Sequence, residues 1–269
     1  MSSKTSSAIF FGLCVVFSFG QMVSAQKEDP KQEALKSFNK GADSHSQSDF
    51  KTAIAHYTKA IELDPKNALA YFNRGHSYYF IDKYPDAVVD YSKAIQINPN
   101  YAEAYNNRGN AHFAQKNYTT ALSDYNKALE LNPSSLDAIN NRGNTNYEQS
   151  KFIEAIDDYS KAIEMNPKVP ESYNYRGNAY YGLKKFDEAL SEYNKAIELN
   201  PKYAKAYNNR GTVYKDLKKE KEAIADYSKV IELFPELGLG YFNRGNAYKL
   251  FGKIAESEAD LAKAKVLKR

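Results

Sequence analysis

The sequence contains no tryptophan, one cysteine, four histidines, and only thirteen glycines and nine prolines in 269 residues. One thiol excludes a disulfide framework or a thiolate zinc site within a single chain, since each needs at least two sulfurs. Sparse glycine and proline exclude a loop-rich or fibrous protein. The histidines His45, His56, His76 and His112 are scattered, with no Ser-His-acid arrangement and no metal-ligand spacing. Neither catalysis nor a cofactor, metal or small-molecule substrate is therefore expected. Charge of one sign is also lacking: 37 Lys and Arg stand against 33 Asp and Glu, a net +4. That balance keeps a protein soluble but is not the one-sided basic footprint of a nucleic-acid binder. Long apolar runs are absent too. The longest, Ala8 to Phe19, has about twelve residues, and a membrane span needs about 20.

That short run follows Lys4 and precedes Val23-Ser24-Ala25, small residues where a signal peptidase cuts. Residues 1–25 read as an export signal and residues 26–33 as a polar linker. Cleavage would remove Cys14 together with Lys4, taking the charge from +4 to +3 and leaving a thiol-free chain. Such a chain suits an oxidising periplasm, cell envelope or extracellular space.

What the sequence has in abundance is period. Gly41, Gly75, Gly109, Gly143, Gly177, Gly211 and Gly245 are spaced by 34 without a slip, and Pro65, Pro99, Pro133, Pro167, Pro201 and Pro235 keep the same interval. So do Ala53, Ala87, Ala121, Ala155, Ala189 and Ala223, and the tyrosines from Tyr57 to Tyr227. Within residues 102–135, apolar or small residues recur at Ala104, Tyr105, Gly109 and His112, then at Leu122, Tyr125, Ala128 and Leu131. Both stretches have the helical period. Lys116-Asn117 separates them, and Asn132-Pro133 ends the second, because proline cannot continue a helix. Each unit is thus helix, turn, helix. Glycine inside a helix costs about 1 kcal/mol relative to alanine, so its recurrence calls for close approach of the second helix at Ala121, with Tyr125 filling the space beside them.

The pattern Tyr105, Gly109, His112, Ala121, Tyr125, Ala128, Pro133, and again Tyr207, Gly211, Tyr214, Ala223, Tyr227, Val230, Pro235, resembles the tetratricopeptide repeat, a 34-residue helical hairpin. The resemblance implies an all-α, right-handed superhelical solenoid over residues 34–269. Its seven repeats would be 34–67, 68–101, 102–135, 136–169, 170–203, 204–237 and 238–269. The first carries Ser37 and Ser44 in place of aromatics, as a solvent-facing cap should. The last carries Ser257 and Leu261 in place of Ala and Tyr, and no further helix follows it. Its outer side, with Phe251, Ile254 and Val266, is a candidate for self-association.

Before each repeated glycine stands Lys40 and then Arg74, Arg108, Arg142, Arg176, Arg210 and Arg244, where the family more often has Leu. The second helix carries Asp90, Asp124, Asp158, Glu192, Asp226 and Asp260 in register, and the one unit without Arg has His56 instead of the acid. Each arginine is expected to pair with an acid, within its own unit or across to a neighbour. The alternative is a row of arginines reading an anionic ligand.

The side of the first helix opposite its partner carries Asn73, Asn107, Asn141 and Asn209 in one row, with Tyr175 among them. A second row holds Asn106, Asn140, Asn174 and Asn208, and a third Asn110, Asn144 and Asn178, with Tyr79, Phe113, Tyr147 and Tyr181 beyond. In tetratricopeptide stacks this side lines the concave groove. An amide offers both a donor and an acceptor, and holds a peptide bond whatever side chain it bears. Rings between amides add contact area at low entropic cost. The expected function is a non-catalytic interaction module that binds an extended peptide segment of another protein in this groove. The alternative is an architectural factor of an envelope complex, making its contacts through outer helices and stack ends.

Overall fold

The computed structural model describes residues 29–267; the export signal read at residues 1–25 lies outside them. The described chain is fourteen helices with no strand. The first helices of successive units are α1 (Pro30–Ser46), α3 (Ala68–Phe80), α5 (Ala102–Ala114), α7 (Leu136–Glu148), α9 (Pro170–Gly182), α11 (Ala204–Asp216) and α13 (Gly238–Leu250). The second helices are α2 (Phe50–Leu63), α4 (Tyr84–Ile97), α6 (Tyr118–Leu131), α8 (Phe152–Met165), α10 (Phe186–Leu199), α12 (Glu220–Leu233) and α14 (Ile254–Leu267). The chain is therefore an all-α solenoid of seven helix-turn-helix units.

The assignment of residues 26–33 to a linker needs correction, because α1 already begins at Pro30. Pro30 sits where a helix tolerates a missing N–H, and the Asp29 side chain accepts from the Lys31 amide at 3.1 Å. Composition alone hid a capped helix start behind polar residues.

Inside a unit the chain reverses through one left-handed residue: Ser48, Asp82, Lys116, Ser150, Lys184 or Lys218, at φ 58–62°, and Gly252 in the last unit. Next to Lys116, the Asn117 amide reaches back to the His112 carbonyl at 2.9 Å and closes the end of α5. The returning helix then lies against the repeated glycine. A Cβ on Gly109 would stand 2.7 Å from Cε1 of Tyr125. Thus the absent side chain admits the tyrosine ring itself, while Ala121 is buried alongside. Tyr57, Tyr91, Tyr125, Tyr159, Tyr193 and Tyr227 are all almost fully buried in this way.

Arginines stitch the units together. Arg74 donates from Nε and Nη2 to the two carboxylate oxygens of Asp90, each at 2.7 Å, and from Nη1 to the Thr58 hydroxyl of the preceding unit at 3.0 Å. The same pairing within one unit joins Arg108 to Asp124, Arg142 to Asp158, Arg210 to Asp226 and Arg244 to Asp260. The backward bonds go to Ser92, Asn126, Asn194 and Ser228. Burial pushes the Asp90 carboxyl up, although hydrogen bonds and charge from Arg74 pull it down. Desolvation thus takes back much of the Coulomb gain, as expected for a buried pair. Tyrosine rings cover the guanidinium faces: Tyr71 lies 5.6 Å from Arg74, Tyr105 5.5 Å from Arg108, Tyr173 5.8 Å from Arg176, Tyr207 5.5 Å from Arg210 and Tyr241 5.9 Å from Arg244.

The fifth unit departs from the rule. Glu192, one methylene longer than Asp, receives a single bond from Arg176 Nη2 at 2.8 Å, leaving Arg176 Nε and Glu192 Oε2 buried without partners. Each orphaned polar atom costs about 1 kcal/mol or more. Glu192→Asp should restore the two-pronged pairing and raise the thermal midpoint by about 2–4 °C. A melt at or below the parental midpoint would contradict this.

Candidate functional site

Successive first helices approach one another along the stack (α1 with α3, α3 with α5, and so on to α11 with α13), whereas successive second helices do not. A stack closer on one side curves toward that side, so the first helices line its concave face. The asparagine rows stand there, half-buried rather than fully solvated, with Asn174 fully buried.

Much of the amide chemistry of these rows is spent inside the protein. Asn141 Nδ2 donates to Asn106 Oδ1 at 3.2 Å, Asn209 Nδ2 to Asn174 Oδ1 at 3.0 Å, and Asn243 Nδ2 to Asn208 Oδ1 at 2.5 Å, each across a unit boundary. Asn106 and Asn208 also donate to the neighbouring Asn107 and Asn209. In the third row the acceptors are taken by buried tyrosines: Tyr125 donates to Asn110 at 2.8 Å, Tyr159 to Asn144 at 2.8 Å and Tyr193 to Asn178 at 2.9 Å. One rung of the ladder is missing. Where Asn140 should receive an amide, position 175 holds Tyr, and Asn140 Oδ1 is buried without a partner.

The amide hydrogens of the third row remain. Among the described residues, Asn110, Asn144 and Asn178 make side-chain bonds only as acceptors. The groove therefore presents N–H groups more than oxygens to anything lying in it.

Three consecutive cavities run along this face. The first, about 220 Å³, is bounded by Tyr79, Asn110, Phe113, Asn141 and Asn144 over the Tyr125 ring. The second, about 290 Å³, lies among Phe113, Asn144, Tyr147, Tyr175 and Asn178, with Glu148 at its edge. The third, about 380 Å³, joins Asn174, Tyr175, Asn178, Asn208 and Asn209 to an aliphatic wall of Val230, Leu237 and Leu239, beside Lys205. Burial raises the phenols of Tyr79 and Tyr147 above their ordinary range. Tyr181 is pushed up to about 12 by burial and then by its bond to Asp216. These phenols stay neutral at ordinary pH.

Of the residues expected to form the groove, Asn73, Asn106, Asn107, Asn140 and Tyr181 line none of these three cavities. Asn106, Asn107 and Asn140 belong to the amide ladder or its gap, and Tyr181 ties α9 to Asp216. The aliphatic wall escaped the sequence reading. Its only signal was Leu237-Gly238-Leu239 opening the last unit, where the third opens on Tyr101-Ala102-Glu103 and the sixth on Tyr203-Ala204-Lys205. No group of His, Cys, Asp or Glu among the described residues is placed to hold a metal ion.

Comparisons with known proteins agree with this architecture. A family model described as tetratricopeptide repeat matches residues 102–135 and 204–237, and one described as TPR repeat matches 41–80, 82–116, 143–184 and 177–218. The search of curated proteins returns no match. Among solved structures, the chain is similar to the MamA protein at 29% identity, with 65% of this chain and 95% of that one covered and a TM-score of 0.60. It is similar to YrrB, described as a TPR protein with an unusual peptide-binding site, at 26% identity over 68% of this chain and 95% of that one, TM-score 0.57. A tetratricopeptide repeat protein from Parabacteroides merdae shares the fold at 22% identity over 88% of this chain and 94% of that one, TM-score 0.74.

Proposed function

Because the chain belongs to the tetratricopeptide repeat family of peptide- and protein-binding scaffolds, we propose that its concave groove holds an extended segment of another protein, without catalysis. The observation that carries this reading is the row of uncommitted amide donors on Asn110, Asn144 and Asn178, set one unit apart beside aromatic cavities. Neighbouring helices pack about 8–10 Å apart, and an extended chain advances about 3.3 Å per residue. Each asparagine would then donate to one backbone carbonyl in about every third residue, regardless of sequence. The rings and the aliphatic wall near Leu237 and Leu239 would select the side chains that lie between. Because the tyrosines and amides are fixed by bonds within the stack, binding requires little reorganisation. YrrB, described by its own peptide-binding site, supports the analogy.

We also propose export, on the residues 1–25, and therefore a partner outside the cytoplasm. A photoreactive residue at Asn141, crosslinked in intact cells and followed by mass spectrometry, should capture an exported or envelope protein. With the probe kept at Asn141, substituting Asn110, Asn144 and Tyr147 together should abolish that capture while leaving helicity unchanged. Capture that survives the triple substitution would instead favour contact through the stack end, where Ile254 and Val266 are exposed. A purely cytoplasmic catch would refute the export reading.

A further inference from the structure

Six units carry the arginine and its acid, and five of them cover the guanidinium with a ring. The fourth unit keeps the pair Arg142–Asp158 but loses both flanking aromatics. Ile139 stands where the other five have tyrosine, and Asn146 where they have Tyr78, His112, Tyr180, Tyr214 and Tyr248. The first unit lacks these rings too, but it also lacks the arginine and the acid, so nothing there is left uncovered.

The vacated space is a cavity of about 380 Å³ between Leu122 and Asn126 on one side and Arg142, Asn146, Lys151, Glu154, Asp157 and Asp158 on the other, with Asn146 Nδ2 donating to Asp158 at 3.1 Å, and it shares no lining residue with the groove. The sister units show what fits it. In the sixth, the Tyr214 ring is flanked by two cations, Arg210 and Lys219, each 5.9 Å from its centre. In the seventh, Tyr248 lies 5.8 Å from both Arg244 and Lys253. Arg142 and Lys151 are the matching cations of the fourth unit, with no ring between them. Arg142 is accordingly the most exposed of the six arginine side chains, at 28%.

A third departure falls at the same place. Asp157 stands where the other units have Ala55, Val89, Ser123, Ser191, Ala225 and Ala259. With Glu154 it sets carboxylates at the mouth of the cavity, and these oppose an anion just as Arg142 and Lys151 oppose a cation. A neutral ring suits both, since its faces attract the two cations and a hydroxyl on its edge can donate to a carboxylate.

We propose that this slot binds a phenol ring supplied from outside the chain, the tyrosine side chain of a partner protein, which completes in trans the cation-ring-cation stack that sister units complete in cis. The test uses the full chain and follows Arg142 Nε–H and Asn146 Nδ2 signals by NMR during titration with Ac-Gly-Tyr-Gly-NH2, Ac-Gly-Ala-Gly-NH2 and p-cresol. The tyrosine peptide should shift both signals saturably and the alanine peptide should not. Binding of the peptide tighter than that of p-cresol supports a protein source. Equal binding would leave the phenol slot standing and overturn the protein source. Asn146→Tyr fills the slot from within and should abolish the tyrosine-induced shift at Arg142 while raising the thermal midpoint. Should that variant not fold, Lys151→Ala, at an exposed position, should weaken peptide binding about 2- to 5-fold. Signals that stay fixed under the tyrosine peptide, or that titrate unchanged in either variant, would overturn the proposal.

Discussion

Arg74→Ala will lower the stability of the first two units by about 3–5 kcal/mol, the range for leaving one partner of a buried pair alone. Asp90, with 3% of its side chain exposed, would then keep a desolvated carboxylate with both guanidinium bonds gone. The same change removes the bond to Thr58 that holds the first unit to the second. In a stack whose units touch only their neighbours, such a loss does not spread evenly. Hydrogen exchange should accelerate most in α1 to α4, with α9 to α14 little changed. Replacing both members, Arg74→Leu with Asp90→Ala, removes the stranded charge and should recover most of the loss. A double variant as unstable as the sum of its single changes would show that Arg74 and Asp90 stabilise independently and not as a pair.

Tyr125→Ala is the second large effect. Removing a buried aromatic side chain costs about 3–5 kcal/mol, part transfer and part cavity. The cavity cannot close easily, because the Tyr125 ring faces a glycine with no side chain to fill the gap. Gly109→Ala alone should also destabilise, since its Cβ would stand 2.7 Å from that ring. Gly109→Ala together with Tyr125→Ala should cost no more than Tyr125→Ala, because the added methyl enters vacated space. Urea denaturation of the three variants measures this. Simple additivity would mean that the glycine is retained for another reason.

These two residues also show how much could be read in advance. The spacing of Gly109 and Tyr125 by sixteen positions, repeated at the same interval along the chain, contained the hairpin and its closest contact. The arginine and acid columns were visible for the same reason, but not which acid each arginine takes, because units 34 residues apart offer equivalent partners. Helix crossing decides for the acid in the same unit and the polar side chain of the one before. The groove rows were placed by helical period alone. Period says nothing about the register between neighbouring helices, so it could not reveal that Asn141 is spent on Asn106 or that the Tyr125 hydroxyl takes the acceptor of Asn110. Nor could it show that Tyr175 leaves Asn140 unanswered.

The arginine stitch obeys a symmetric rule, since Arg74 reaches Thr58 sixteen residues behind and Asp90 sixteen residues ahead. A gene that loses the whole stretch 136–169 would bring Asn126 to the place that Ser160 holds behind Arg176, and Asn126 already serves Arg142 in that manner. Duplication or excision of whole internal units thus leaves each arginine supplied on both sides, whereas a cut of another length between two stitches breaks the sixteen-residue spacing. The bonding pattern makes chain length a variable that changes in steps of one unit, with groove length following it.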